Sequence, residues 1–438
     1  MTVSIDLGVI SDEQPAPPSS RPGPGIWRTV ASAAALLLAG GLLGASGAPV
    51  HERPVEARVP MGPHDALFVA GDTLYVVGPE ADSYTTLPRT ITAFTVPGGE
   101  RQWQHPLDTS APVMWLTAAG DVLLATTGAR PDDQKVVALD SRTAKPLWER
   151  AGASPQLIDD DSVLFVAEPG VDSAPVVWER VRTSTGERLW RREFPPATSS
   201  QPMNVWDTGD QRMLATLPGG RTEIWDTATN RMLSTADLSL ETPLSVFETV
   251  GLASDATATG TTLIGYSMPD LRKTWTREFG SIVDIVGRCG AGLVCLRTGE
   301  PAVVSALDPA TGDVLWENRT YEYFEQWGPV LLTDGRWSPD QRDGLAAVDP
   351  RTGQTLRDFG PWTLARYEPE PDPAYTVVTS VDAERTAVLV AELDLRALTL
   401  RVIGQVDAVK DSCHAEGTVL FCRTPDGAAL MRRLPVTS

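Results

Sequence analysis

Histidine and lysine are scarce in this chain, with four of each in 438 residues. A histidine-dependent hydrolase would have to draw its base from His51, His64, His105 or His414, and the sequence supplies none of them with a partner. The chain has no H-E-x-x-H, no G-x-S-x-G and no P-loop, which excludes the common zinc peptidase, α/β-hydrolase and P-loop designs. It has no Cys-Cys dipeptide and only four cysteines. Positive charge is in short supply. The formal net charge is −20 with a pI near 4.6, which argues against a phosphate-backbone partner, so no nucleic acid is expected. The surplus acids read as a solvated surface. Between residues 60 and 438 no stretch has the apolar periodicity of an amphipathic helix.

A repeating unit takes the place of these motifs. Residues 306–316 read A-L-D-P-A-T-G-D-V-L-W, and residues 138–148 read A-L-D-S-R-T-A-K-P-L-W. Shorter copies are V-D-P-R-T-G-Q-T-L at 348–356, T-S-T-G-E-R-L-W at 183–190 and D-T-A-T-N-R-M-L at 226–233. Each copy reads as a strand, a tight turn and a second strand. Asp140, Asp226, Asp308 and Asp349 open the turns, because an Asp side chain bonds backbone N–H groups a few residues on. Gly186, Gly312 and Gly353 supply positive φ, and Asn230 takes that place in one copy. Trp103, Trp148, Trp190, Trp275 and Trp316 occupy the end of the unit, with Ser234 and Arg357 in two further slots. Consecutive slots lie about 41 to 45 residues apart, the period of a solenoid, propeller or array. Repeated residues of this kind are structural: the Trp ring packs between neighbouring sheets.

Four strands fit each period. In the unit ending at Trp148 they are expected at 113–117, 121–126, 135–139 and 146–150, separated by turn signals. Such units make propeller blades. Repeat windows begin near residues 63, 112, 155, 203, 243, 281, 322, 373 and 407, and two weak windows are candidates for merging. The expectation is therefore an all-β propeller of about eight four-stranded blades, within a range of seven to nine. The last window has strands at 418–423 and 428–434 and lacks an outer one, which residues 55–59 are expected to supply, pairing the two ends and removing an open edge.

The A-x-D-x-x-T-G-x-x-x-W unit resembles the quinoprotein-type, PQQ-like β-propeller repeat, which is also found in the bacterial outer-membrane assembly lipoprotein family. The resemblance covers roughly residues 60–436 and is weakest near 268–275 and 394–402. It implies a closed propeller. In the dehydrogenases with this repeat, the quinone stacks on a Trp floor beneath a disulfide of adjacent cysteines, a calcium ion polarises it and an Asp acts as base. No residue here matches those positions, so the resemblance stops at the scaffold. No catalytic residue, cofactor or metal ligand is assigned.

The N-terminus differs in character. Residues 1–26 are polar and proline-rich and read as a disordered cytoplasmic tail. Residues 29–50 carry no charge, so 27–50 is read as a transmembrane signal anchor, with Arg21 and Arg28 favouring a cytoplasmic N-terminus. The competing readings are a cleaved signal peptide ending near Ala45-Ser46-Gly47 and a soluble helix. Under the anchor reading residues 51–438 form a propeller outside the cell membrane, held by a single pass. Gly40 and Gly44 form a G-x-x-x-G, common by chance in such a span.

The cysteines fall into two local pairs, Cys289 with Cys295 and Cys413 with Cys422, each flanking a Gly-containing turn between the first and second strands of a unit. Cross-strand cysteines meet disulfide geometry, and such bonds persist in oxidising compartments. The alternatives are four separate buried thiols or, against the spacing, a zinc site. The functional expectation is a non-catalytic, extracytoplasmic binding or scaffold module with a cell-envelope protein partner. A quinoprotein dehydrogenase and a sensor of a small molecule or glycan are the alternatives. Residues 78–88, 128–133 and 368–373 are the expected contact loops.

Overall fold

In the computed structural model, 36 strands form nine four-stranded antiparallel sheets. The structure describes residues 56–434 apart from short connecting segments, the longest being 79–88, 204–210, 334–343 and 366–374. The tail, the uncharged run, His51 and His64 lie outside the described residues. Among the described residues there is no helix, and so none long and apolar enough to cross a membrane.

Eight sheets are built from strands consecutive in sequence: 66–107, 113–151, 154–194, 199–237, 245–279, 283–318, 325–360 and 363–407, here blades one to eight. Blade two has strands Val113–Ala119, Val122–Thr127, Lys135–Asp140 and Pro146–Ala151, within two residues of the expected bounds. Blade nine takes Cys413–Glu416, Val419–Arg423 and Ala428–Arg433 from the C-terminus. Its outer strand is Glu56–Pro60, which pairs antiparallel with Ala428–Arg433.

The ring thus has nine blades, one more than the eight favoured and within the expected range of seven to nine. None of the nine windows merges, because each completes its own four strands. The eighth was hard to see because its first strand, Thr363–Leu364, is two residues long. The ninth is complete only with a strand from the far end of the chain.

Nine clusters of buried side chains lie between the sheets, one at each junction of successive blades. The cluster joining blade nine to blade one closes the ring. Val59, Phe421, Ala429 and Met431 meet Leu74, Val76 and Phe94 there. The core is thus a circle of apolar layers. Burial of each large aliphatic or aromatic side chain contributes about 1.5–3 kcal/mol before chain entropy is set against it.

The up-and-down order within each blade fixes two faces. Connections between first and second strands, and between third and fourth, lie on one face, the turn face. Connections between second and third strands, and between blades, lie on the other, the loop face.

Candidate functional site

The repeat residues meet at a clasp between adjacent blades. In five blades the indole N–H of the slot tryptophan donates to a backbone carbonyl in the next blade's turn. Trp103 reaches Ser141 at 2.8 Å, Trp148 reaches Thr183 at 2.7 Å and Trp190 reaches Thr227 at 3.0 Å. Trp275 reaches Pro309 at 2.8 Å and Trp316 reaches Pro350 at 2.9 Å. The acceptor is always the second residue of the turn, one past the Asp position. That carbonyl is left over by the turn's own hydrogen bonding, so the clasp satisfies both partners.

Each turn is prepared for the ring it receives. Asp140 accepts from the Thr143 backbone at 2.8 Å and from its hydroxyl at 2.7 Å. Hydrogen bonds from Thr143, first from its side chain, hold the Asp140 carboxyl below the usual carboxylate range. Asp308 and Asp349 accept from Ala310 and Arg351, both at 2.8 Å. At Asp226, burial pushes the carboxyl up, but hydrogen bonds from Thr229 prevail and the net shift is downward. Gly186, Gly312 and Gly353 have φ of 68°, 80° and 68°. A Cβ there would lie 2.6 Å from Trp148, 2.7 Å from Trp275 and 2.5 Å from Trp316 respectively. These glycines are needed twice over, for the left-handed backbone and for the ring stacked on it.

The strand that carries the tryptophan is bulged. In blades one to seven the ladder between third and fourth strands slips by one residue just before the slot, and in blade eight it slips between Val402 and Gly404. In blades two, three, four, six and seven the extra residue is a leucine just before the slot. Leu147, Leu189, Leu233, Leu315 and Leu356 are therefore 37% to 56% exposed. A bulge raises local twist and blunts an edge strand, which suits the outer rim of each blade. The L-W pairs of the sequence carried this signal.

The cysteines pair as expected. Cys289–Cys295 closes the turn-face end of the first hairpin of blade six. Cys413 and Cys422 sit directly opposite each other, with Cα atoms 4.1 Å apart, at the loop-face end of the first hairpin of blade nine. Equivalent hairpins are thus stapled at opposite ends, and all four cysteines are buried.

The two described histidines, His105 and His414, lie on different blades. His105 lies on the outer strand of blade one, where burial lowers its pKa. His414 lies on the innermost strand of blade nine, 3.5 Å from Glu416. The expected contact loops fall largely outside the described residues, but the strands flanking them are informative. The strands beside 78–88 and 128–133 are the second and third of blades one and two, and those beside 368–373 are the first and second of blade eight.

Among the described residues, the slot tryptophans and the disulfides differ from the Trp floor and adjacent-cysteine disulfide of the dehydrogenases. The slot tryptophans are engaged between blades, and both disulfides are stapled within hairpins by cysteines six and nine residues apart. Among the described residues no three His, Cys, Asp or Glu side chains are grouped to hold a metal ion.

The family match agrees with the scaffold. The family described as outer membrane protein assembly factor BamB matches residues 40–176 and 87–242, together less than half of the chain. No curated protein matches. Among solved structures, the crystal structure of BamB from Moraxella catarrhalis is 16% identical, with 87% of this chain and 98% of that chain covered and a TM-score of 0.40. A europium-containing methanol dehydrogenase is 13% identical, with 74% and 83% covered and a TM-score of 0.41. At these values no activity or partner transfers from either protein. The clasped repeat, the nine sheets and the family match identify the chain as a PQQ-like β-propeller similar to the BamB family.

Proposed function

We propose that this propeller is a non-catalytic binding or scaffold module outside the cell membrane. The observation that carries the reading is the use made of the repeated residues. Indoles, aspartates and glycines that would otherwise be candidates for chemistry are spent on holding blades together. What remains is a rigid ring with variable connections, the kind of surface on which recognition is commonly built. A family match to an assembly factor supports a protein partner in the cell envelope as the object of that recognition.

The uncharged run at 29–50 supports a single membrane pass over 27–50 with the N-terminus in the cytoplasm. Two disulfides support an oxidising compartment for the ring. Proximity labelling from the C-terminus of the full chain in its native cell tests the whole reading. Enrichment of envelope proteins is expected. Dye reduction by alcohols or sugars after loading with the quinone and calcium would sink it. Alkaline extraction of membranes tests the anchor, which is expected to leave the chain in the pellet.

A further inference from the structure

Charge on the outer rim is not spread evenly. The outer strands of blades three, four and five are Arg188–Phe194, Arg231–Asp237 and Arg272–Phe279, and they carry seven Arg and Lys against three Asp and Glu. The outer strands of the other six blades carry five of each sign. In a chain of net charge −20, an excess of cations on three adjacent blades is a local reversal of sign. Charge protects an edge strand from aggregation, but the other six outer strands meet that need with balanced signs, so it does not account for the seven-to-three excess on these three.

Arg231, Arg272 and Lys273 are exposed, and among the described residues no carboxylate forms a close ion pair with them, the nearest influence being the electrostatic one between Arg231 and Asp226. Arg231 and Arg272 occupy the same place in the repeat, three residues before the slots held by Ser234 and Trp275, so they lie at equivalent turn-face corners of adjacent blades. Arg188 stands one position further on in blade three, with a carboxylate of Glu179 at 3.8 Å. Apolar surface is interleaved with them. Leu189 and Leu233 are the bulge residues of blades three and four, 43% and 39% exposed.

We infer that this stretch of rim docks an acidic protein segment with interspersed aliphatic side chains. The inference rests on the reading of the ring as a binding module and names the partner's chemistry. Carboxylates would meet the exposed cations, and aliphatic side chains would cover the leucines that the bulges turn outward. Electrostatic pairing of this kind steers association and fixes register.

The test uses the full chain and a labelled peptide of alternating glutamate and leucine, followed by fluorescence anisotropy. Binding that weakens as salt rises is expected. The variant Arg231→Glu, Arg272→Glu, Lys273→Glu should bind at least about tenfold more weakly, while Arg101→Glu with Arg357→Glu, on other outer strands, should bind as the parent does. If the triple variant fails to fold, Arg231→Gln, Arg272→Gln, Lys273→Gln replaces it, with the same direction of effect. Equal loss in both charge sets, absence of peptide binding, or binding only to vesicles of equal phosphatidylglycerol and phosphatidylcholine would overturn the inference. A chain that ignores the peptide yet still labels envelope neighbours loses the rim site and keeps the scaffold reading.

Discussion

The indole of Trp316 donates to the carbonyl of Pro350 at 2.9 Å, and the same ring lies where a Cβ on Gly353 would come within 2.5 Å of it. One tryptophan thus reads two features of the next blade's turn, an open carbonyl and an absent side chain. The same pairing holds for Trp148 with Gly186 and Trp275 with Gly312. Blade order is written into these contacts as well as into general apolar burial.

Replacing Trp316 by phenylalanine keeps most of the packing and removes the hydrogen bond, at an expected cost of about 1–1.5 kcal/mol. Alanine should cost about 3–5 kcal/mol. Gly353→Ala should be destabilising alone, by the left-handed φ and the collision, and less so in the Trp316→Ala background, where only the backbone part remains. Urea unfolding of the four proteins checks this. Simple additivity would mean that the two residues do not meet.

Where the slot lacks tryptophan, the turn it faces changes too. Ser234 is followed one blade on by Leu271, and Arg357 by Leu398, each at positive φ where glycine is otherwise common. Leu271 is 3% exposed and packs with Ala236 and Leu238 of blade four. Leu398 packs beside Phe359 and Trp362. The leucine fills space that the ring would take and offsets the strain of its backbone. Ser234→Trp is therefore expected to destabilise, by about 1–3 kcal/mol of overpacking. Adding Leu271→Gly should recover most of that loss. A double variant no more stable than Ser234→Trp in thermal melts would refute the exchange.

Much of this was legible in the sequence because it repeats. Strand bounds in blade two, both cysteine pairings and the strand closing blade nine followed from periodic apolar runs and turn residues. The blade count followed as a range of seven to nine and no more closely, since Thr363–Leu364 is too short to carry a period. The clasp acceptors were invisible because any residue offers a carbonyl, from Ser141 to Pro350. The basic rim was hidden for another reason. Arg231 and Arg272 lie 41 residues apart in the chain, and only the stacking of blades makes them neighbours.

Blade three departs from the repeat with a buried charge. Arg180 stands opposite Trp190, where several other blades have alanine, and is 5% exposed. Its guanidinium reaches Asp159 at 2.5 Å, the Ser162 hydroxyl at 2.8 Å and the Thr227 hydroxyl at 3.1 Å. Burial lowers its pKa, and Asp159 opposes that shift. Asp159→Ala should cost about 2 kcal/mol, below the about 3–5 kcal/mol of a fully buried broken pair, because the carboxylate is one-third exposed. Arg180→Ala with Asp159→Ala should be milder than Asp159→Ala alone. Denaturant midpoints separate these outcomes, and an Asp159→Ala protein as stable as the parent would show that the network does not hold the guanidinium.

The closing strand offers the most direct test of the ring. Val59 is fully buried, pairs with Ala429 and lies in the layer between blades nine and one. Val59→Asp places a carboxylate in that layer without a partner, which should cost about 3–5 kcal/mol or expel the strand. Expulsion would leave blade nine with three strands and expose the edge of Ala428–Arg433 to pairing with a second chain. The neighbouring change Arg58→Ala removes only an exposed contact with Asp426 and should leave the melt almost unmoved. Limited proteolysis near residue 56, together with the solution mass, distinguishes a closed ring from an opened one. A Val59→Asp protein that melts with Arg58→Ala and resists cleavage equally would show that Glu56–Pro60 does not bear the closure.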